Sequence, residues 1–278
     1  ASIGAIWSSS SPDFGIKGVL DRFTQIEPKV LFAANGYYYN GKKFDSLEKL
    51  NSILDQLPSV DHVVVTPYTD SNPDISSVKN GILWDNFIDS NPSPLKFEQL
   101  PFQHPLYIMY SSGTTGLPKS IVHGAGGTLI QHLKELRLHC NIYPEDTIFY
   151  FTTCGWMMWN WLVSNLAIGA AIVLYDGSPL QPNSNAMWDM VDELGITHFG
   201  TSAKYIDACR QEGLSPIKTH SLESMRTIFS TGSPLVEESF DYVYNHIKKE
   251  IQLASISGGT DIISCFAGGN PTLPVYRG

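Results

Sequence analysis

Short apolar runs alternate with amphipathic stretches along most of this chain, and that alternation limits the possible folds more than any other feature. The runs Lys29–Ala34 and His62–Thr66 are typical of buried strands. Between them, Phe44–Leu57 carries leucines and an isoleucine at helical spacing. A strand–helix–strand unit of this kind packs its two strands in parallel. The sequence therefore predicts an α/β fold of largely parallel sheets flanked by helices.

The same pattern predicts further elements on both sides of a polar connection. The predicted helices are Phe14–Gln25, Thr128–His139, Trp156–Ile168, Ala186–Leu194, Ala203–Gln211 and Pro234–Ile247. The predicted strands are Leu106–Tyr110, Thr147–Phe151, Ala170–Tyr175, Thr197–Gly200, Arg226–Ser230 and Leu253–Ser257. The connection Asp70–Ser93 is rich in Asp, Asn, Ser and Pro, with one short element expected at Ile82–Phe87. We expect one subdomain over residues 1–100, containing the strand–helix–strand unit, and a second over 101–278.

Charge and cysteine usage narrow the class of protein. The 278 residues carry a net charge of −9 without a dense Lys/Arg cluster, so nucleic acid is not an expected partner. The four cysteines are widely spaced and form no CxxC pair, which predicts free thiols in a reducing compartment, the cytoplasm, rather than disulfides or a zinc site. Residues 154–175 lack charge. Asn160, Ser164, Asn165 and Gly169 interrupt them, however, which favours a buried helix and strand over a membrane span.

A loop rich in small and hydroxyl-bearing residues follows the predicted strand Leu106–Tyr110. Its candidate ligand-binding residues are Ser111, Ser112, Gly113, Thr114, Thr115, Gly116 and Lys119. Glycines let backbone N–H groups converge on one point, hydroxyls add donors, and lysine adds a positive charge. Phosphate oxygens are the natural ligand for such a loop, although it lacks the Lys-Ser/Thr ending of a Walker A motif. The alternative is an ordinary polar turn.

Two later turns share these properties. Ser230–Pro234 and Ser257–Asp261 each follow an apolar strand and combine glycine with hydroxyls. Ligands in α/β folds lie at the carboxyl ends of parallel strands, so we expect all three turns at one sheet edge. Asp261 is a candidate Mg²⁺ ligand and Thr260 a candidate phosphate donor. The alternative for each later turn is a helix cap or a hairpin, and no GxSxG, HExxH or kinase motif is present.

At these positions the sequence resembles a known superfamily. Ser111–Lys119 is similar to the phosphate-loop signature of the acyl-adenylate-forming, AMP-binding enzymes, and Gly155-Trp156, Ser230–Pro234 and Gly259–Asp261 follow in the order of its later motifs. The resemblance runs from Ala1 to the last residue and is greatest to the members that join acetoacetate to CoA. Its most specific segments are Gly124–Lys134, Gly155–Trp161, Leu174–Leu180 and Ser255–Ser264.

The resemblance implies a ligase acting in two steps, with a role in lipid metabolism. Acetoacetate would attack the α-phosphorus of ATP, and CoA would then displace AMP from the acyl-adenylate. The loop residues Ser111–Gly116 and Lys119 would bind the β- and γ-phosphates, and Lys119, Thr260 and Asp261 would be the catalytic groups. Gly232, Ser233 and Pro234 would line the adenine, Gly259 and Thr260 would contact the nucleotide, and Asp261 would hold Mg²⁺.

The resemblance also implies a small pocket for the acyl group. Trp156 would form its wall, with Met157, Thr231 and Gly258 nearby, whereas Trp159 and Trp161 are expected in the core. Acetate-specific relatives carry a bulky aromatic residue where this chain has Gly258. A longer pocket for a four-carbon keto acid would follow, and Gly258→Trp would shift preference toward acetate.

Two residues depart from the family pattern. Ser120 stands where many relatives have glycine, and Asp261 stands where most have glutamate. The family's ribose-binding aspartate and its small C-terminal domain with a catalytic lysine would lie beyond Gly278, so we expect this chain to be an internal piece of a large domain and inactive alone. Another short-chain acyl-CoA synthetase and a non-catalytic nucleotide-binding module remain open alternatives. The oligomeric state is not predicted.

Overall fold

The computed structural model describes residues 1–111 and 116–278. The chain divides into two compact units, Ala1–Gly124 and Ala125–Gly278. Both units are α/β structures in which parallel strand pairs predominate in the larger sheets, as the sequence predicts.

In the described part of the first unit, the chain forms three small sheets and short helices. Its elements are β1 (Trp7–Ser8), α1 (Ile16–Phe23), β2 (Val30–Ala34), β3 (Gly36–Tyr39), β4 (Lys42–Asp45), α2 (Leu47–Leu54), β5 (His62–Thr66), β6 (Gly81–Leu83), α3 (Trp84–Phe87), β7 (Pro105–Ser111) and β8 (Lys119–Gly124). Strands β2, β5 and β6 form one parallel sheet in that order. The predicted strand–helix–strand unit is confirmed, and the central strand is fully buried at Val63, Val64 and Val65.

The start of the second predicted helix is wrong. The prediction began it at Phe44, whereas α2 begins at Leu47 and Phe44 lies in β4, paired antiparallel with Tyr37 of β3. The two rings stack with their centroids 5.0 Å apart. Asn40 and Gly41 both have positive φ, 51° and 73°, and Asn-Gly is the preferred two-residue hairpin turn. This dipeptide was the sequence signal for the hairpin.

Strand β8 is a second feature that the apolar pattern did not predict. It pairs antiparallel with β7, while β1 pairs parallel with the other edge of β7. Residues of β8 are half-buried or exposed apart from His123, so the strand has no large apolar face. The strand is held by its pairing with β7 and not by a large apolar face.

The second unit is built on one larger sheet. Its elements are α4 (Ala125–Lys134), β9 (Thr147–Tyr150), α5 (Met157–Val163), β10 (Ala171–Val173), α6 (Ala186–Leu194), β11 (His198–Ser202), α7 (Ala203–Gln211), α8 (Pro216–Thr219), β12 (Thr227–Thr231), α9 (Glu237–Tyr242), β13 (Gln252–Ser255), β14 (Ser257–Gly259) and β15 (Ser264–Ala267). A five-stranded parallel sheet has the order β10-β9-β11-β12-β13. Strands β14 and β15 form an antiparallel hairpin.

Helical segments of other types extend three of these helices. Glu135–His139 continues α4 as a π-helix, Ser164–Ala167 continues α5 as a 3-10 helix, and Val243–Ile247 continues α9 as a π-helix. Short π-helical insertions often accompany functional sites because they reorient the side chains around them. The segment at Glu135 is the one that bears on the candidate site.

Aromatic packing fills the space beside the sheet. Trp188 and Phe199 stack with centroids 5.2 Å apart and are 1% and 0% exposed. On the other cluster, Tyr150 lies against Trp161 and Phe229, with ring centroids 5.9 and 6.5 Å away. Trp161 is 2% exposed, which confirms its predicted place in the core.

The start of α4 differs from the prediction. The sequence pattern placed it at Thr128, after Gly126 and Gly127, but the helix begins at Ala125 and includes both glycines. Thr128 and His132, one helical turn apart, are both buried, and this packing outweighs the low helix propensity of glycine. Among residues 1–111 and 116–278, no helix is long and apolar enough to cross a membrane.

Candidate functional site

The first predicted turn closes the β7–β8 hairpin of the first unit. Ser111 and Lys119 are paired across the two strands, so the loop leaves and re-enters the sheet at facing positions. Ser112, Gly113, Thr114 and Thr115 lie outside the described residues, and their assignment as phosphate ligands stays a prediction. Gly116 and Lys119 are exposed at the end of the loop.

Gln25, just beyond α1, holds the end of this loop. Its Nε2 donates to the carbonyl oxygen of Pro118 at 2.8 Å, and its Oε1 accepts from the hydroxyl of Ser120 at 3.0 Å. The sequence pattern gave no reason to select Gln25, because contacts separated by more than 90 residues leave no periodic signal. Ser120, noted above as a departure from the family pattern, therefore has a structural partner in this chain.

The second turn follows β12 at the carboxyl edge of the five-stranded sheet. Ile228 and Phe229 of this strand are buried in the core. The chain then turns at Gly232, whose φ of 89° favours glycine. Ser233 and Pro234 are exposed beyond it. These three residues keep the exposed position that a ligand-binding turn needs.

Pro234 does not begin a helix, so that prediction is wrong. Helix α9 starts at Glu237, and Val236 before it is still extended, with φ −74° and ψ 155°. The extended path from the turn allows Leu235 to enter the core, where it is 7% exposed. Burial of Leu235 therefore accounts for the delayed helix start.

The third turn is joined to the second by backbone and side-chain hydrogen bonds. The amide of Ile256 donates to the carbonyl of Ser230 at 2.7 Å, and Thr231 Oγ1 donates to the carbonyl of Ile256 at 3.0 Å. Strands β12 and β13 are neighbours with parallel register, so their carboxyl ends meet at the same sheet edge. The structure thus brings Thr231 close to the segment that leads into Gly258.

The prediction that all three turns share one sheet edge is wrong. The first turn leaves the β1-β7-β8 sheet of the first unit, whereas the second and third belong to the second unit. The strand before the third turn is also followed by a hairpin, the structural alternative considered for it. Apolar runs identify strands but not the sheet to which each strand belongs, which is why the sequence could not separate the two cases.

Thr260 and Asp261 lie in the tight turn between β14 and β15. The amide of Ile263 donates to the carbonyl of Thr260 at 3.2 Å, and Asp261 is exposed. Ile263 has a φ of 47°, a left-handed conformation that is unusual for a β-branched residue, and it is 4% exposed. Such strain costs about 1–3 kcal/mol and persists only where surrounding contacts fix it.

The Cβ direction of Gly258 points at the neighbouring strand and not into open space. A Cβ atom there would lie 2.2 Å from the carbonyl oxygen of Ser264 and 2.7 Å from Cα of Cys265, because Gly258 pairs with Cys265 across the hairpin. A larger residue at this position cannot simply fill a pocket in this backbone. The expectation that glycine here lengthens the pocket stays a prediction, and any side chain at 258 also requires the hairpin to move.

Trp156 and Met157 lie at the start of α5. This helix follows the carboxyl end of β9, which belongs to the same five-stranded sheet as β12. Trp156 is the extended residue before the helix and is 61% exposed, so it is not a core residue. Met157 is half-buried and packs on the cluster that contains Trp161. Both residues lie on the chain that leaves the carboxyl edge, where Thr231 also lies.

A buried carboxylate, which belongs to none of the sequence motifs, joins these elements. Glu135, 5% exposed, accepts hydrogen bonds from Trp161 Nε1 at 3.1 Å and from the Ser264 hydroxyl at 2.7 Å. Although burial raises the pKa of Glu135, the hydrogen bonds from Ser264, Cys265 and Trp161 together hold that pKa below its usual range. Because Glu135 stands in an amphipathic helical stretch beside Lys134 and near Arg137, nothing in the sequence distinguishes it from an exposed charge.

The donor chemistry around Asp261 suits a magnesium ion that a bound nucleotide would share. Within the described parts of the chain, no group of three or more His, Cys, Asp or Glu side chains could enclose a metal ion. Mg²⁺ usually takes one or two carboxylates plus substrate phosphates, so a single exposed carboxylate beside Thr260 fits that mode of binding.

Comparisons with known proteins show the family to which the chain belongs. Residues 1–273 match the family model described as AMP-binding enzyme. The whole chain is 58% identical to acetoacetyl-CoA synthetase of Gallus gallus and 56% identical to acetoacetyl-coenzyme A synthetase of Rhizobium meliloti (strain 1021), covering 43% of each. It is 45% identical to a malonamoyl-CoA synthetase of Penicillium aethiopicum, of which it covers 41%.

A solved structure is similar over the entire chain. Acetoacetyl-CoA synthetase from Streptomyces lividans aligns with a TM-score of 0.93 and 44% identity, covering 100% of this chain and 43% of that one. The chain therefore spans less than half the length of the relatives that it matches.

Proposed function

Because the chain belongs to the AMP-binding enzyme family, we propose that it supplies part of the ATP- and acid-binding region of an acetoacetate–CoA ligase. The observation that carries this proposal is the 58% identity, across the full chain, to a protein named acetoacetyl-CoA synthetase. The exposed turn Gly232–Pro234, which follows β12 at the carboxyl edge of the parallel sheet, supports the proposal because ligands of α/β folds bind at that edge.

The proposed reaction needs positioning and charge neutralisation, not a protein nucleophile. A carboxylate oxygen of acetoacetate attacks the α-phosphorus of ATP, and the bond to pyrophosphate breaks. The CoA thiol then attacks the acyl carbon, gives up its proton, and AMP leaves with the electron pair of the broken acyl–oxygen bond. Fixed hydrogen-bond donors and in-line geometry account for most of the catalysis in such transfers.

Each exposed turn has a proposed role in that reaction. Lys119 and the loop before it bind the β- and γ-phosphates, the Gly232–Pro234 turn lines the adenine, and Thr260 donates to the α-phosphate. The mixed hydroxyl, glycine and lysine chemistry of these turns supports the assignment. Mg²⁺ bound by Asp261 would neutralise phosphate oxygens.

The acid is proposed to be a short 3-oxo acid. The names of the relatives imply the acids acetoacetate and malonamate. Both acids carry a carbonyl group two carbons from the carboxylate carbon. Acetoacetate has a methyl group on that carbonyl, where malonamate has an amino group. Identity of 58% to the first kind and 45% to the second favours acetoacetate. The proposed pocket residues are Trp156, Met157 and Thr231, with Gly258 on the neighbouring hairpin.

Acid-dependent ATP–pyrophosphate exchange tests this function. The full-length gene product containing these residues is assayed with acetoacetate, malonamate, butyrate and acetate, and thioester formation is followed with CoA. We expect exchange and thioester formation to be fastest with acetoacetate. Faster turnover of butyrate or acetate would instead identify another short-chain acyl-CoA synthetase.

The same preparation separates an enzyme from a nucleotide-binding module. ATP binding without exchange for any acid would identify a non-catalytic module and refute the ligase. For residues 1–278 alone we expect at most weak nucleotide binding and no thioester, because the family's hinge and C-terminal lysine are not among them. Robust acetoacetate-dependent exchange by these 278 residues would contradict that expectation.

A cytosolic location is part of the proposal. Its support is the wide spacing of the four cysteines and the lack of a CxxC pair in the sequence, as expected for a reducing compartment.

A further inference from the structure

Glu135 is the common hydrogen-bond acceptor for two elements that carry candidate site residues. It is the first residue of the π-helical segment that continues α4, and its carboxylate is 5% exposed. Among residues 1–111 and 116–278, no lysine or arginine forms an ion pair with it. A buried carboxylate without a cation is retained only where hydrogen bonds satisfy its oxygens.

The donors come from three directions. Oε1 accepts from Gln131 Nε2 at 2.7 Å and from the Ser264 hydroxyl at 2.7 Å. The backbone amide of Cys265 donates to the same oxygen at 3.1 Å, and its thiol donates at 3.3 Å. Oε2 accepts from Trp161 Nε1 at 3.1 Å. One side chain thus contacts its own helix, the β14–β15 hairpin and α5.

Two of the donors belong to β15, the strand that pairs with the candidate site residues of β14. Ser264 pairs with Gly259 and Cys265 pairs with Gly258, so Glu135 binds the strand that faces both glycines. Trp161 lies one helical turn after Met157 on α5. The carboxylate therefore sets the distance between the hairpin that holds Gly258 and the helix that holds Met157.

His132 makes a parallel connection one turn earlier on α4. It is 0% exposed, its Nδ1 lies 2.8 Å from the hydroxyl of Ser164 at the end of α5, and its Nε2 lies 3.1 Å from the carbonyl of Ile263. Ile263 is the residue with positive φ in the Thr260–Ile263 turn. The contacts of His132 and Glu135 fix a strained turn whose outer residues are Thr260 and Asp261.

We propose that Glu135 is a positioning residue for acid selection: it fixes the β14–β15 hairpin against α5 and so sets the shape of the acyl site. This inference rests on the proposed ligase function. Glu135 is not proposed to contact either substrate, and it acts through Ser264, Cys265 and Trp161. A side chain needed only for stability would change the amount of folded protein without changing which acid is used.

Kinetics of the full-length protein test the proposal. Glu135→Gln replaces one oxygen with a donor that faces other donors, so the hairpin must shift. Because a misplacement of 1 Å can cost a factor of 100, we expect the ratio of kcat/KM for acetoacetate to that for butyrate to fall by roughly tenfold or more. KM for acetoacetate should rise. Glu135→Asp keeps the charge and should restore part of the ratio.

Glu145→Gln is the matched control, since it makes the same change at an exposed glutamate of the same unit. It should leave KM and the acid ratio unchanged. A lower kcat for Glu135→Gln, with wild-type KM and wild-type acid ratio, would overturn the proposal. If Glu135→Gln does not fold, Ser264→Ala removes one donor while leaving the carboxylate. A lower acid ratio in Ser264→Ala would then support the proposal, and a lower kcat with wild-type KM and acid ratio would overturn it.

Hydrogen exchange provides a readout that does not depend on activity. Exchange of the backbone amides of residues 257–267 should be faster in Glu135→Gln than in Glu145→Gln, and wild-type protection at these amides in Glu135→Gln would overturn the proposal. If the wild-type protein does not use acetoacetate and the two variants still differ in exchange, the proposed function is refuted. The role of Glu135 in holding the hairpin is then supported.

Discussion

Two adjacent glycines in β14 should respond in opposite ways to the same substitution. In Gly258→Ala the new Cβ lies 2.2 Å from the Ser264 carbonyl oxygen and 2.7 Å from Cys265 Cα. In Gly259→Ala the nearest atom is Asp261 Oδ2, 3.8 Å away. Neither glycine has the positive φ that would penalise alanine. The pair therefore isolates one variable, which is the approach of β15 to position 258.

The size of the difference follows from the hairpin geometry. Non-bonded carbon contacts lie at about 3.5–4.0 Å, so β15 must withdraw by more than about 1 Å in Gly258→Ala. Withdrawal breaks the local strand pairing, and two hydrogen bonds at about 1 kcal/mol each give a loss of about 2 kcal/mol. Replacing glycine stabilises both variants by about 0.4–1 kcal/mol through the unfolded state. We therefore expect Gly258→Ala to be less stable by about 2 kcal/mol than Gly259→Ala.

Hydrogen exchange of the hairpin amides measures that difference locally. Because 1.4 kcal/mol is a factor of ten, amides of residues 257–267 should open about 30-fold more often in Gly258→Ala than in Gly259→Ala. Global unfolding is a poorer measure, since two compact units need not unfold together. Equal protection in the two variants would show that β15 does not pack on position 258, and the structural account of Gly258 would be wrong.

Two further predictions concern the support of the loop by Gln25 and the side chain of His198 in β11, which is 1% exposed. Gln25→Ala removes the contacts to Pro118 and Ser120. If their loss costs about 1 kcal/mol of ATP binding, KM for ATP in the full-length protein should rise about fivefold. Gln56→Ala, which removes only a contact to Ser52 in the α2 region, should leave KM unchanged. An unchanged KM for ATP in Gln25→Ala would contradict the conclusion that Gln25 supports the loop. Burial lowers the pKa of His198 from 6.5 to about 4, so the unfolded state binds more protons between these values and stability falls as pH drops from 6.5 to 4. That loss in the free energy of unfolding is about 3 kcal/mol. Urea titrations of His198→Gln at several pH values should not show it. An identical pH dependence in wild type and variant would contradict the lowered pKa of His198.

The repeating strand and helix pattern was enough to predict the fold class and most parallel strands. The fully apolar run at Val63, Val64 and Val65 predicts a strand covered on both faces, and the structure buries all three. Elements without a strong apolar face were missed. Strand β8 is held by pairing alone, and the β3–β4 hairpin depends on Asn40-Gly41, a turn signal that apolar periodicity does not contain.

The candidate site was only partly predictable for a related reason. Small residues in the turns at Thr231 and Thr260 could be recognised locally, because turn chemistry is local. The sheet to which each turn belongs, and the partners of Glu135 up to 130 residues away, depend on tertiary contacts. Gly258 illustrates the limit: the sequence identifies a glycine, while only the structure shows that β15 requires it.

The central claim is that the exposed turns of this chain bind an acyl-adenylate. A crystal structure of the full-length protein with a non-hydrolysable acetoacetyl-AMP analogue tests it most directly. We predict that a phosphate oxygen of the analogue lies about 3 Å from Thr260 Oγ1, and that the adenine lies on the Gly232–Pro234 turn. An analogue bound away from both turns would contradict the claim.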